Sequence, residues 1–219
     1  GWHGHYVDRS AELAGTLELG AGALSPSAGA KPVGFDHAKL YLDYQPDQDR
    51  VDISELTIRS DWGELRGEGH ALFRDFVGGW PATLLGQVRI NSAKINPDQQ
   101  YDEPVSIDRG AADFKVRLNP FSVDLGQVLL QSGERKFRAT GAISAGPQGW
   151  TVSLDSTAEE IDRDKVLELW PLHLVDKPRA WIEHSVATGT VHDLHAALRV
   201  RPGVPTEFGV GLNFRDAQV

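Results

Sequence analysis

Val51-Asp-Ile-Ser-Glu-Leu-Thr-Ile-Arg-Ser60 and Val123-Asp-Leu-Gly-Gln-Val-Leu-Leu-Gln-Ser132 are two copies of one pattern in this 219-residue chain. The copies stand 72 positions apart without a gap, and the likeness continues through 65–69 and 137–141, which both end in glycine. A tandem repeat of this kind is the signature of a fold that stacks one supersecondary unit. The main question is therefore which ligand the repeated sheet surface binds.

Both copies change their apolar phase at the same place. Before Ser54-Glu55 the apolar residues of the first copy occupy one phase of a two-residue alternation, and after it they occupy the other. The second copy switches in the same way at Gly126-Gln127. Because side chains on a strand alternate strictly, the switch requires an extra residue, so we predict a β-bulge in each copy.

Short alternating runs between turn signals predict a mostly β fold. We expect tandem antiparallel β-meander units over about 35–97 and 109–160, and closing strands over 189–214. Between them lies a small two-helix insert over 162–188. The whole chain, 1–219, is then one repeat module with a curved sheet.

The insert carries helix start and stop signals. Asp162 or Asp164 can N-cap a short helix that ends before Pro171. Asp176 is placed to cap a second helix through about residue 186, and Gly189 is placed to end it. The sequence therefore predicts two short helices laid against the sheet.

Four tryptophans stand at structurally informative positions. Trp80 and Trp150 open equivalent strands of the two copies. A core aromatic beside a turn is the commoner interpretation, and a place at a groove mouth or an interface is the alternative. Trp170 and Trp181 lie in the insert, and we expect both to pin the helices to the sheet edge.

Composition excludes several classes of function. The net charge is −9 and no stretch concentrates Lys and Arg, which argues against a nucleic-acid partner. No run approaches the ~18 apolar residues of a membrane span. The chain has no Cys, which removes disulfides and thiolate chemistry. It begins with Gly1 and has no Met, so we expect a piece of a longer protein whose membrane anchor lies elsewhere.

No catalytic motif is present. The chain has no Gly-x-Ser-x-Gly, His-Glu-x-x-His or phosphate loop. His192 and His195 are three apart on a strand and face opposite ways, which is wrong for joint metal binding. We expect no enzyme, no cofactor and no metal. An enzyme acting on carbohydrate, with two carboxylates across a polar cleft, is the alternative.

The stretch from Val166 to Val191 resembles the Leu-Trp-Pro…Arg-x-Trp…Gly-x-Val segment of the AsmA-like superfamily, in particular the YhdP- and TamB-type envelope proteins of Gram-negative bacteria. The matching residues are Leu169, Trp170, Pro171, Arg179, Trp181, Gly189 and Val191. The repeated apolar-x-apolar, Ser, Leu-Arg-x-x-Gly pattern is also similar to the β repeats of that family.

The resemblance implies a periplasmic segment of a long protein anchored in the inner membrane. Its repeats would form a U-shaped, taco-like β groove that conducts phospholipid between the inner and outer membranes and so supports outer-membrane biogenesis. The implied partners are phospholipid or another lipid, with envelope proteins as further candidates. The implied function is lipid transport without enzymatic activity, and Leu169, Trp170, Pro171, Arg179, Trp181 and Gly189 would be structural residues.

One set of apolar residues shares a phase within each strand and recurs in both copies. We predict that it forms one concave face that binds acyl chains. The set consists of Leu42, Tyr44, Leu65, Phe73, Leu84, Val88, Val116, Phe137, Ile143, Val152 and Leu154. The alternative is an ordinary packed core in a scaffold or interaction module without a ligand. Glycines on the same face either leave room for a chain or mark tight bending of the sheet.

Overall fold

The computed structural model of the chain describes residues 2–7, 10–172 and 176–218, with side chains for 13–172 and 176–216. The fold is mostly β, as predicted, and its main element is one antiparallel sheet. The strands follow one another across this sheet in chain order. The two outermost strands do not pair with each other, so the sheet is curved but open.

Fifteen strands and two α-helices are described. The strands are β1 (Trp2–Val7), β2 (Ser10–Leu19), β3 (Gly22–Leu24), β4 (Val33–Phe35), β5 (His37–Gln45), β6 (Arg50–Ser60), β7 (Gly63–Val77), β8 (Trp80–Ile95), β9 (Val105–Ile107), β10 (Arg109–Leu118), β11 (Phe121–Ser132), β12 (Arg135–Gly146), β13 (Gly149–Asp162), β14 (Thr188–Arg201) and β15 (Val204–Gln218). β3 and β4 form a separate two-stranded sheet, and β9 pairs only with β8. The helices are α1 (Arg163–Glu168) and α2 (Asp176–Ser185), and short 3-10 turns lie at Pro46–Gln48 and Pro97–Gln99.

The two copies of the repeat are β5–β8 and β10–β13. Both predicted bulges are confirmed by the register of the strands. Ile53 and Leu56 lie opposite Gly69 and Gly67 on β7, so the two residues 54–55 of β6 face the single residue 68. Leu125 and Val128 lie opposite Gly141 and Ala139, so residues 126–127 of β11 face the single residue 140. The bulges keep the apolar residues of each strand on one face despite the change of phase.

Cross-strand partners define a continuous face, which we call the apolar face. One row of partners crosses the sheet from β5 to β15 as Tyr44, Val51, Ala71, Gly86, Phe114, Leu125, Gly141, Leu154, Leu198 and Phe208. Directly opposed residues in an antiparallel pair point to the same side. Over β5–β8 and β10–β12, and on β13 as far as Ala158, the residues in phase with this row are uncharged except for Asp75 on β7 and Arg135 on β12.

Glycines on the apolar face let neighbouring strands approach closely. A Cβ on Gly69 would lie 2.3 Å from the carbonyl oxygen of Gln87, and one on Gly141 would lie 2.4 Å from that of Ser153. Such separations are far shorter than any real contact of a Cβ atom, so only glycine fits. These residues therefore permit the tight bending of the sheet, which favours the second of the two interpretations of the repeated glycines.

The insert packs on the apolar face at the β12–β15 side. The fully buried residues of this contact are Ile161 on β13, Val186 after α2 and Val191 on β14. Phe137 on β12 and several side chains of β14 and β15 pack against this cluster. The Trp170 ring meets the Phe208 ring edge-on at 6.1 Å, which confirms that Trp170 pins the insert to the sheet.

Two predictions for the insert are corrected. Asp162 stands at the N-cap position of α1, but its carboxylate pairs with Arg135 on β12 and makes no cap hydrogen bond. Gly189 does not end α2, because it lies in β14 with a φ of 154°. Arg163 instead caps α2, donating from Nη2 to the carbonyl of Glu183 at 2.5 Å. Asp176 opens α2, and the residues before it lie outside the described ranges.

Two tryptophan predictions are also wrong. Trp181 is 54% exposed, and the buried Ile182 and Val186 hold α2 against the sheet instead. Trp80 is 79% exposed rather than a core residue. Its counterpart Trp150 is half-buried and meets the Phe121 ring edge-on at 6.0 Å.

Two contacts join parts of the chain that are distant in the sheet. The Trp150 indole donates to the carbonyl of Lys31 at 2.7 Å, so the segment between β2 and β5 reaches the β12–β13 turn. At another place, the Leu172 N–H donates to the carbonyl of Gln100 at 2.8 Å, which ties the insert to the segment after β8. Because each contact links strands that do not pair, both are consistent with a strongly curved sheet.

The exposed area shows how open the molecule is. The protein exposes 13,707 Å². A compact folded monomer of 24.0 kDa exposes about 9,900 Å² by the usual scaling with mass. The excess is the expected result of a sheet that has no second sheet of comparable size packed on it among the described residues.

Candidate functional site

The predicted groove residues lie together on the apolar face. Tyr44 and Leu154 belong to the row that defines it. Phe73, Leu84 and Val116 are successive partners in the next row. The same row continues through Val123 to Ile143 and Val152, which are partners across β12 and β13. Leu42, Leu65, Val88 and Phe137 are in phase with these rows on their own strands.

All of these predicted side chains are half-buried. The fully buried residues of the protein lie elsewhere, in the cluster beneath the insert. Contacts along the face are local, as between the rings of Tyr44 and Phe73, whose centroids are 5.5 Å apart. A closed sandwich would bury such side chains completely, so this part of the sheet presents apolar surface that the chain itself does not fully cover.

The insert divides the apolar face into a covered and an uncovered part. Over β12–β15 the insert packs on it, and Phe137 is the predicted groove residue that contacts the insert cluster. Over β5–β11 a smaller cluster of Ile90, Ala93 and Ile107 is buried, with Leu65 and Leu130 packed against it. Leu42, Tyr44, Phe73, Leu84, Val88 and Val116 lie outside both clusters. This last group is the strongest candidate for contact with an apolar ligand.

The opposite, polar face carries most of the charge. The larger of the two described cavities lies over β8–β13 and has a volume of about 1140 Å³. Residues of both faces line it. A row of the apolar face runs through the middle of the lining as Ile90, Gly110, Leu130, Phe137 and Ala158. Rows of the polar face flank it, with Arg89, Ala111, Leu129, Arg138 and Thr157 on one side and Arg109, Gln131 and Lys136 on the other. Sequence reasoning missed this cavity, because strand alternation shows which side chains share a face but not where the sheet is hollow.

Repeat-equivalent carboxylates organise the polar face. Asp52 accepts hydrogen bonds from the Arg50 guanidinium at 2.5 and 2.9 Å and from Gln45 Nε2 at 3.1 Å. Its counterpart Asp124 accepts one from Arg117, the repeat counterpart of Gln45, at 2.8 Å. The hydrogen bonds from Arg50 hold the pKa of Asp52 below its usual value, aided by the charges of Arg50 and His70. Such half-exposed pairs add little stability and mainly keep charge on this side of the sheet.

The residues on which the sequence resemblance rests divide between the core and the surface. Trp170 and Pro171 are buried and Leu169 packs beside them. Arg179 pairs with Glu183 at 3.1 Å and lies 3.9 Å from Asp102, in the segment after β8. Their role in this chain is therefore to build and seat the insert.

Comparison with known proteins finds no match: no family model, no curated protein and no solved structure resembles the chain at a significant level. Among the described residues, no helix is long and apolar enough to cross a membrane. Nor does that part of the chain group three or more His, Asp or Glu side chains that could hold a metal ion.

Proposed function

We propose that the chain is a periplasmic module of an AsmA-like, membrane-anchored bridging protein, and that its apolar face cradles phospholipid acyl chains during transport between the inner and outer membranes. The observation that carries the proposal is the continuous apolar face from Leu42 to Leu154, whose large side chains remain half-buried outside the clusters of the core. The sequence resemblance of residues 166–191 supports the cellular setting.

The physical mechanism is apolar transfer. Each methylene group that leaves water for the apolar face gains about 0.8 kcal/mol. Because the predicted groove residues are all apolar or aromatic, they make little distinction between acyl chains and leave the headgroup to solvent. Such a surface suits a carrier, which must hold lipid without fixing it in one place.

Uptake of a phospholipid with an environment-sensitive fluorescent acyl chain, in detergent-free buffer, tests the proposal. Leu84→Glu should abolish uptake, because an unpaired carboxylate among apolar side chains strongly disfavours a hydrocarbon ligand. The matched control is Leu85→Glu. Leu85 is the adjacent residue on the same strand, but it faces the polar side and is 38% exposed.

Circular dichroism and thermal unfolding establish that both variants keep the fold. If Leu84→Glu does not fold, Leu154→Glu applies the same test in the second copy. Lack of uptake by the wild-type protein contradicts the proposal. Equal uptake by the Leu84 and Leu85 variants does so as well, and a scaffold that binds no ligand then becomes the better interpretation.

A further inference from the structure

The β7–β8 hairpin extends beyond the strands on either side of it. On β7 the pairing with β6 ends at Leu72, one residue before Phe73 donates its N–H to the carbonyl of Asp49 at 2.7 Å. On β8 the pairing with β10 begins at Thr83. Residues 74–82 therefore form a two-stranded projection, which we call the hairpin tip, with no further strand beside it among the described residues.

The hairpin tip carries the two most exposed large apolar side chains among the described residues, and a third beside them. Trp80 is 79% exposed, Val77 is 72% exposed and Phe76 is 47% exposed. Gly78 and Gly79 make the turn with φ values of 60° and 84°. No charged residue occurs from Phe76 through Ala82, although charged residues make up 24% of the chain.

The tip continues the apolar face. Trp80 stands four residues before Leu84 on β8, and their cross-strand partners on β7 are Val77 and Phe73. On β7 the exposed Asp75, with a φ of 54°, lies between these partners, so β8 carries the continuity of the face. Side chains at even spacing along a strand point to one side. Leu118, at the end of the neighbouring β10, is 48% exposed and adds to the apolar surface at this end of the sheet.

The size and shape of the tip favour a lipid bilayer over a protein partner. From the exposed fractions and the usual area of aromatic side chains, Phe76, Val77 and Trp80 present on the order of 400 Å². A stable protein interface buries about 800 Å² on each partner. A narrow projection cannot supply that area, whereas a bilayer accepts any apolar wedge, and tryptophan favours its interfacial region.

We propose that the hairpin tip inserts into the surface of a phospholipid bilayer and that lipid passes along Trp80 and Val77 onto the apolar face. Contact with the bilayer stands on the tip alone, whereas the passage of lipid rests on the proposed function. The net charge of −9 repels anionic membranes, and the tip has no net positive charge to offset this, because Arg74 and Asp75 at its base balance each other. The tip should therefore bind zwitterionic membranes best.

Flotation with phosphatidylcholine vesicles tests the contact. The double variant Val77→Ser/Trp80→Ser should lower the vesicle-bound fraction about tenfold or more, because two large apolar side chains are removed from the membrane. The matched control is Trp62→Ser. Trp62 is 44% exposed in the β6–β7 turn, at the opposite end of β7, and its replacement should leave binding unchanged.

A second assay separates the two proposals. Lipid pick-up from vesicles should slow in the tip variant in proportion to lost binding, while uptake of a monomeric short-chain phosphatidylcholine stays at the wild-type level. If neither the wild-type protein nor the tip variant takes up the monomeric lipid, but flotation still depends on the tip, the membrane contact is supported and the groove function is contradicted. Wild-type protein that does not float, or a tip variant that floats equally well, overturns the membrane contact. If the protein does not float but self-associates through the tip, membrane contact is contradicted, and the tip instead binds a second copy of the protein.

Discussion

At the scale of single residues, neighbours in the sequence have opposite roles according to which side they face. Trp181 and Ile182 are adjacent in α2, yet the first is 54% exposed and the second only 3%. Asp52 and Ile53 on β6 differ in the same way, because one binds Arg50 and the other lies in the apolar rows. Residue type alone does not reveal the role, since the larger aromatic of the first pair is the one left in solvent.

This contrast predicts the stability of two variants of α2. Trp181→Ala should change the free energy of unfolding by less than ~0.5 kcal/mol, as is usual for an exposed site. Ile182→Ala should lower it by about 2–5 kcal/mol, because it removes buried methyl groups and leaves a cavity in the insert cluster. Urea unfolding followed by circular dichroism measures both. Similar losses for the two variants would show that Trp181 docks the helix after all.

At the scale of elements, the bulge and the glycines give each copy its shape. The bulge at 54–55 and 126–127 preserves the apolar face, and the glycines allow the strands to bend. Two glycines of the second copy differ sharply in their surroundings. A Cβ on Gly141 would meet a carbonyl oxygen of β13, whereas one on Gly126 would have no heavy atom within 4 Å. The repeat agrees with this difference, because Gly69 matches Gly141 but Ser54 matches Gly126.

Gly141→Ala should therefore destabilise the protein, whereas Gly126→Ser should not. The added methyl group at residue 141 forces β12 and β13 apart, and overpacking of this kind costs about 1–3 kcal/mol. At residue 126 the first copy already carries serine in the same bulge, so we expect a change within ~0.5 kcal/mol. Thermal unfolding of the two variants measures the difference. A neutral Gly141→Ala would mean that the sheet does not need the close approach of these strands.

At the scale of the whole molecule, the sequence predicts features that depend on the alternation of side chains along a strand. It misses features that depend on contacts between residues far apart in the chain. The repeat and its phase switch were sufficient for the meander, both bulges and the shared face of residues such as Leu84 and Leu154. Alternation says nothing about how far one hairpin outruns its neighbours, so Trp80 was placed in the core. The Arg163 cap on α2 joins residues 20 apart in the chain, and no helix-end signal could reveal it. Likewise, the cavity over β8–β13 follows from bending of the whole sheet.

The openness of the molecule leads to a measurement in solution. A compact domain of this length has a radius of gyration of about 17 Å. A sheet of a dozen strands, each about 4.8 Å from the next, measures more than 50 Å along its curve. Within the described ranges, no second sheet of similar size packs against it. Small-angle X-ray scattering of the monomer should therefore give a radius clearly above 17 Å. A radius near 17 Å would mean that the β1 end and the β15 end of the curved sheet fold onto each other in solution. The apolar face would then be the core of a sandwich, and lipid binding would require the two ends to separate.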